Sequence, residues 1–227
     1  MTEMLAEKYV PHLRYDRREP YSLTAVGYYI HRGSGPSPSS GQYVRVEPGE
    51  TAVEYAFFYD FDIQHLYDLE HVFVTIGAAG EITGVLGSFH GKLLNHLIPG
   101  EISFEGTHVI EYVQPGKHAF MPRPHYFQLA PDRDGCCNIR AGSDGFLIGP
   151  RFEGRLTTDR AFDKKVERFI RQHHSFTPSW QFGEDYPYLK RTEEVLMPWE
   201  ELEGLIVRRM EEWKRKIDEG INGTNVR

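Results

Sequence analysis

Tyr55-Ala56-Phe57-Phe58-Tyr59-Asp60-Phe61-Asp62-Ile63-Gln64-His65-Leu66-Tyr67-Asp68-Leu69-Glu70-His71 is the stretch on which the fold turns. Ala52 to Asp60 is a run of aromatic and small apolar residues of the kind that fills a pleated strand. A second strand-like run, Asp68 to Ile76, follows a short link. Glu81 to Phe89 pairs with it as a hairpin through Gly77-Ala78-Ala79-Gly80. Further out, Leu23 to His31, Gln42 to Val46, Thr107 to Val113 and Gly145 to Gly149 read as strands. His118 to Phe120 and His125 to Leu129 are weaker candidates broken by prolines. The Gly-, Pro- and Ser-rich stretch 33–41 reads as an exposed surface connection, with a mobile lid as the alternative.

Beyond Pro150 the pattern becomes helical. Thr158 or Asp159 can cap a helix whose Phe162, Val166, Phe169 and Ile170 share one face. A second helix is expected from near Pro198 to Gly220. Its stripe of Leu202, Leu205, Ile206, Met210, Trp213 and Ile217 predicts packing against the sheet, with a partner-binding face as the alternative. The expected fold is mainly β with C-terminal helices (α+β): an antiparallel β-sandwich over about 10–150 carrying a helical extension over about 157–220. The 227 residues are read as one domain.

Composition narrows the function classes. A hydrophobic fraction of 40% beside 26% charged residues, with 14 Phe and 13 Tyr, supports a sizeable core. A net charge of −7 and no long basic run argue against a nucleic-acid partner, which needs a positive field. No run of about 18 apolar residues is present, so no transmembrane segment is expected. Met1 to Val10 lacks the apolar centre of a signal peptide. The two cysteines, Cys136 and Cys137, are adjacent and staple no loop, so free thiols and a cytoplasmic location are expected. Asn222-Gly223-Thr224 matches a glycosylation sequon but reads as part of a frayed tail.

The chemistry concentrates at the junction of the first two strands. Four carboxylates and two imidazoles fall within the twelve residues from Asp60 to His71. Period-two geometry puts Asp68 and Glu70 on one face with Val72 and Val74, and His71 on the other. Asp60 and Asp62 are expected to share a face, with His65 on the link between strands. Carboxylates crowded beside aromatic strands repel one another and resist losing water. A bound cation, a shared proton, or Lys and Arg partners must compensate. Oxygen ligands with one imidazole suit Mg²⁺, Mn²⁺ or Ca²⁺ better than Zn²⁺. Ser88-Phe89-His90-Gly91 and Gln114-Pro115-Gly116-Lys117-His118-Ala119-Phe120 can bring His90, Lys117 and His118 to the same end of the sheet.

These three segments together resemble the necrosis- and ethylene-inducing-peptide-like proteins and a broader family with a yeast vacuolar-protein-sorting homologue. The opening Pro11-His12-Leu13-Arg14-Tyr15-Asp16 with Glu19-Pro20 is similar to the vacuolar-sorting branch. The toxins' motif His-Arg-His-Asp-Trp-Glu binds a divalent cation, and the resemblance places its first His, its Asp and its Glu on His65, Asp68 and Glu70. The family's upstream Asp falls on Asp62. Tyr67 and Leu69 replace the motif's second His and its Trp, the link from Asp62 to His65 is shorter, and the toxins' secretion signal and disulfide are missing.

The expectation is a divalent-metal-dependent enzyme of hydrolase type. Asp62, His65, Asp68 and Glu70 would hold the ion, His90 and His118 would move protons, and Lys117 would steady negative charge. The alternative is a non-catalytic module that binds a sugar or a lipid headgroup through its cation. A purely structural metal is the third reading.

Overall fold

The computed structural model describes residues 2–130, 132–133, 135–183 and 192–220. The sequon at 222–224 lies outside them. In chain order the elements are α1 (Thr2–Tyr9), β1 (His12–Asp16), β2 (Ala25–His31), β3 (Gly35–Pro36), β4 (Tyr43–Val44), β5 (Thr51–Phe61), β6 (His65–Ile76) and β7 (Ile82–Phe89). They continue with β8 (Lys92–Asn95), β9 (Ser103–Glu105), β10 (His108–Val113), β11 (Phe120–Met121), β12 (Gly145–Phe146), α2 (Arg160–His173), β13 (Phe182–Gly183), β14 (Leu196–Pro198) and α3 (Trp199–Glu219). The fold is mostly β with C-terminal helices. Among the described residues no helix is long and apolar enough to cross a membrane.

The aromatic run that opens the sequence argument is β5, the centre of a sheet ordered β14-β2-β5-β6-β7-β8. A smaller sheet, β11-β10-β1-β13 with β9 on β10, lies on one of its faces. Tyr55, Phe57, Tyr59, Val72 and Val74 fill that interface with Val109, Val113 and Phe120, and α1 adds Ala6 and Tyr9. The opposite face of the large sheet packs Ala56, Phe58 and Leu66 against α2 and α3. The β5–β6 hairpin is therefore buried on both sides, which explains its almost uninterrupted apolar character.

The helices form as their periodicity requires. Asp159 caps α2, its side chain accepting from the Phe162 amide at 2.8 Å. Trp199, Leu202, Ile206, Met210, Trp213 and Ile217 are the buried stripe of α3. At about 1.5–3 kcal/mol for each fully buried large side chain, this stripe contributes on the order of 10 kcal/mol. Its stop is Gly220, left-handed at φ 74°. Gly27 in β2 lets α3 approach: a Cβ there would sit 2.6 Å from Leu202 Cδ2.

The structure differs from the sequence reading at several elements. The sandwich is not wholly antiparallel, because β1–β10, β12–β6 and β14–β2 run parallel. Residues 125–129 form a 3-10 turn opened by Pro124 in place of a strand. The stretch 33–41 is the largely exposed connection expected, but it is held in place, since Ser37 and Ser39 are buried against Glu54. Helix α1 and the strands β1, β3, β8, β9, β13 and β14 were not foreseen. The residues of α1 and β1 lack clear periodicity, and they are held by long-range contacts such as Tyr55 Oη to the Ala6 carbonyl at 2.7 Å.

Candidate functional site: an acid-lined cavity beside β6

A cavity of 270 Å³ opens where β6 changes neighbours. Its start pairs with β12 at His65 and Leu66, and its pairing with β7 begins only at Val72. Between them Ser88 stands in for the ladder: its Oγ accepts from the His71 amide at 2.7 Å and donates to Glu70. Tyr67 adopts φ 78° at this break, while its neighbours stay in register with β5, Leu66 opposite Phe61 and Asp68 opposite Tyr59.

Two turns are stitched together at the cavity. Asp62 Oδ1 accepts from the Gln64 amide at 2.6 Å, and the Ile63 amide donates to the Gly116 carbonyl at 2.7 Å. The Gly116 amide in turn donates to Glu19 Oε2 at 2.7 Å. At Gly116 φ is +67° and a Cβ would lie 2.8 Å from that of Ile63, so the turn requires glycine. This junction sets Lys117 beside Asp62, Nζ reaching the two carboxylate oxygens at 2.9 and 2.7 Å. It also sets His118 Nδ1 2.8 Å from Asp68 Oδ2.

Of the possible compensations for crowded carboxylates, two are present. Lys117 and His118 are the cationic partners. Burial alone would raise the Asp62 pKa, but His65 and Lys117 hold the carboxyl below its usual range. Burial opposes charge on His118 as well, yet Asp68 and Glu19 push its pKa up to about 10. The shared proton is the other device. Burial and the neighbouring Asp68 push Glu70 up to about 8. His90 is held in its neutral form, chiefly by burial and then by Lys117. Its Nε2 donates to Gln114 Oε1 at 2.9 Å.

Asp62, His65, Asp68, Glu70, His90 and Lys117 all line the cavity. His118 does not. It is fully buried behind Asp68, its ring stacked on Tyr59 at 3.8 Å. Its Nε2 lies 3.5 Å from Glu19 Oε1, within ion-pair range but outside hydrogen-bond geometry. His118, expected to move protons, thus stands behind Asp68, bonded to that carboxylate and away from the cavity wall. Asp60 leaves the cluster too. It faces the helices, where Arg209 Nε and Nη2 bind its carboxylate at 3.0 and 2.7 Å.

The donors fit an oxygen-preferring divalent ion in kind. His65 Nδ1 donates to the Tyr67 carbonyl at 2.7 Å, which leaves the Nε2 lone pair facing Asp62 Oδ1 at 3.8 Å. The ligand atoms are not gathered in advance, however. Among the described residues the group with all ligand atoms within 4.8 Å of one another is His12, His108 and Glu193, elsewhere on the molecule. Sequence reasoning missed Glu19, Ser88 and Tyr67 as parts of the site. Glu19 is the residue whose place before Pro20 could have drawn attention, whereas the roles of Ser88 and Tyr67 depend on a ladder break with no sequence signature.

No protein-family model and no curated protein matches the chain. Among solved structures it is similar to necrosis and ethylene inducing protein 2 from the causal agent of cocoa's witches' broom disease. That likeness has 22% identity over 52% of this chain and 67% of the other, with a TM-score of 0.36. NLPPya in complex with glucosamine matches at 17% identity over 53% and 65%, TM-score 0.38. The non-toxic HaNLP3 protein matches at 20% over 49% and 62%, TM-score 0.33. The chain thus spans about two thirds or less of these proteins. The vacuolar-sorting side of the resemblance finds no support among them. Similarities of this size leave the geometry to carry the functional reading.

Proposed function

We propose that the chain is a recognition module that takes a divalent cation into the cavity lined by Asp62, His65, Asp68 and Glu70 and binds a polyhydroxylated ligand there. The observation that carries this reading is the pairing of an open, acid-lined cavity with His65, whose Nδ1–H is committed to a backbone carbonyl so that Nε2 faces inward. Mg²⁺, Mn²⁺ or Ca²⁺ would be held by Asp68, Glu70 and His65, with Asp62 joining as Lys117 turns aside. A hydroxylated ring suits the remaining wall, because carboxylates and the second nitrogen of His90 accept hydrogen bonds from hydroxyls. The ammonium of an amino sugar suits its negative charge.

Recognition ranks above hydrolysis because the groups expected to move protons are engaged. His118 is sealed behind Asp68 and Lys117 is paired with Asp62. His90 alone is both neutral and on the cavity wall, so it is the base that a hydrolytic reading would use. Calorimetry of chelator-treated protein should give one Mg²⁺, Mn²⁺ or Ca²⁺ ion in the cavity, lost in Asp68→Asn. A sugar panel including glucosamine and mannosamine should show binding that needs the ion. Indifference of the wild type to every ion and sugar would sink the reading. Turnover of a phosphoester, glycoside or ester that His90→Ala abolishes while retaining the metal would restore the hydrolase.

A further inference from the structure

On another part of the surface, His12 at the start of β1, His108 at the start of β10 and Glu193 in the 3-10 turn before β14 converge from distant points of the chain. Their ligand atoms all lie within 4.8 Å of one another. The two imidazoles stack nearly parallel, 10° apart with centroids at 4.1 Å. Each has its Nδ1 committed elsewhere. His108 Nδ1 donates to the Val10 carbonyl at 2.8 Å, and His12 Nδ1 faces Glu105 Oε2 at 2.6 Å. Glu105 is itself fixed by an ion pair with Arg14. His12 Nε2 meets Glu193 Oε1 at 2.8 Å, and Thr192 Oγ1 anchors that turn by donating to the Pro11 carbonyl at 3.0 Å.

An imidazole whose Nδ1–H is held by a carbonyl or a carboxylate presents Nε2 to a metal, and this outer hydrogen bonding orients the ring and raises its basicity. Here two rings carry that arrangement and share one carboxylate. We propose that His12 Nε2, His108 Nε2 and Glu193 form a site for Zn²⁺ or a similar borderline transition ion, with Glu105 as the orienting partner of His12. Two imidazoles and one carboxylate suit such an ion, whereas the oxygen-rich cavity beside β6 suits Mg²⁺ or Ca²⁺. A tetrahedral ion with bonds of about 2.0–2.1 Å keeps its ligands roughly 3.3 Å apart. The 2.8 Å His12–Glu193 contact therefore opens slightly as the ion replaces the hydrogen between them, and the His108 ring has to turn out of its stack on His12, because the in-plane lone pairs of parallel rings do not meet at one ion. A fourth position remains for water, since Glu193 is exposed. Occupied, the site would tie the starts of β1 and β10 to the turn leading into β14 and α3.

The test is competition between chelator-treated full-length protein and a chromophoric zinc chelator, with thermal unfolding followed in parallel. The wild type should bind one Zn²⁺ at this site and unfold at a higher temperature with it. Glu193→Gln and His108→Ala should each weaken binding by at least about tenfold, while Asp68→Asn keeps it. Absence of zinc binding by the wild type needs no variant to interpret and overturns the site. So does binding that survives in both Glu193→Gln and His108→Ala, or binding lost only in Asp68→Asn, which would move the ion to the cavity beside β6.

Discussion

Glu54 and Glu70 stand on the two strands of the same hairpin, and their carboxyls shift in opposite directions. Glu54 belongs to the end of the sheet covered by residues 33–41. His31 Nε2 lies 2.8 Å from its Oε2, Ser37 Oγ donates to its Oε1 at 2.7 Å, and Ser39 donates as well while taking His71 Nε2 at 2.7 Å. Burial works against ionisation, but His31, His71 and the two serines hold Glu54 below the usual carboxylate range. Glu70 has one donor among the described residues, Ser88, and Asp68 for a neighbour. One acid is sealed and fully partnered. The other is left short of partners beside a cavity. The same residue types on the same strands thus make a structural network at one end and line an open cavity at the other.

Substitution should separate them first by size. Glu54→Gln removes the charge around which four side chains are arranged, and breaking a buried network of this kind costs about 3–5 kcal/mol. Glu70→Gln keeps the shape of a carboxyl that stays protonated in the fold and removes the proton uptake that folding otherwise requires at pH 7, so the variant should lose no stability there and gain some. Urea denaturation of both variants without added metal checks this. Equal losses would break the comparison.

The pH dependence should separate them next. Glu70 keeps a proton up to about 8 in the folded state, whereas an unshifted Glu loses it near 4.5. Between those values the folded state binds more protons, so stability is fully present below the lower value and falls as pH rises through the window. At about 1.4 kcal/mol per unit, the loss amounts to a few kcal/mol. Glu54 has the reverse sign: its contribution is present above 4.5 and lost as pH falls further. Saturating Mg²⁺ or Ca²⁺ should flatten the decline between 4.5 and 8, as should Glu70→Gln. A decline unchanged in that variant would assign it to other groups.

What the sequence made legible follows the same division. The apolar run of β5, the alternation that sets Asp68 and Glu70 against His71, and the heptad-like stripe of α3 are local patterns, and Asp68 and Glu70 do line one cavity beside β6. Partner choice is not local. Nothing in the sequence joins Asp60 to Arg209, 149 positions away, or closes Glu54 under Ser37 and Ser39. His118 illustrates the limit well, since proximity to the acids was readable but its burial behind Asp68 depends on the stack with Tyr59 and on Glu19.

Backbone strain gives the smallest and most selective contrast. Tyr67, His90 and His118, at φ 78°, 48° and 54°, are three of the five non-glycine residues with positive φ among those described, and all three belong to the cavity end. His31 and His71, at the sealed end, sit in ordinary strands. Comparing Ala with Gly at one position isolates the backbone, because both replacements delete the imidazole and its hydrogen bond. At His90 the left-handed conformation costs an alanine about 1 kcal/mol that glycine avoids, so His90→Gly should be more stable than His90→Ala by roughly that amount. At His31 the order should reverse, because glycine inside a strand is about 0.5–1 kcal/mol worse than alanine. Denaturation midpoints of the four variants test the sign at each position. The same order at both sites would mean that His90 carries no strain, and that the cavity end differs from the sealed end only in its charges.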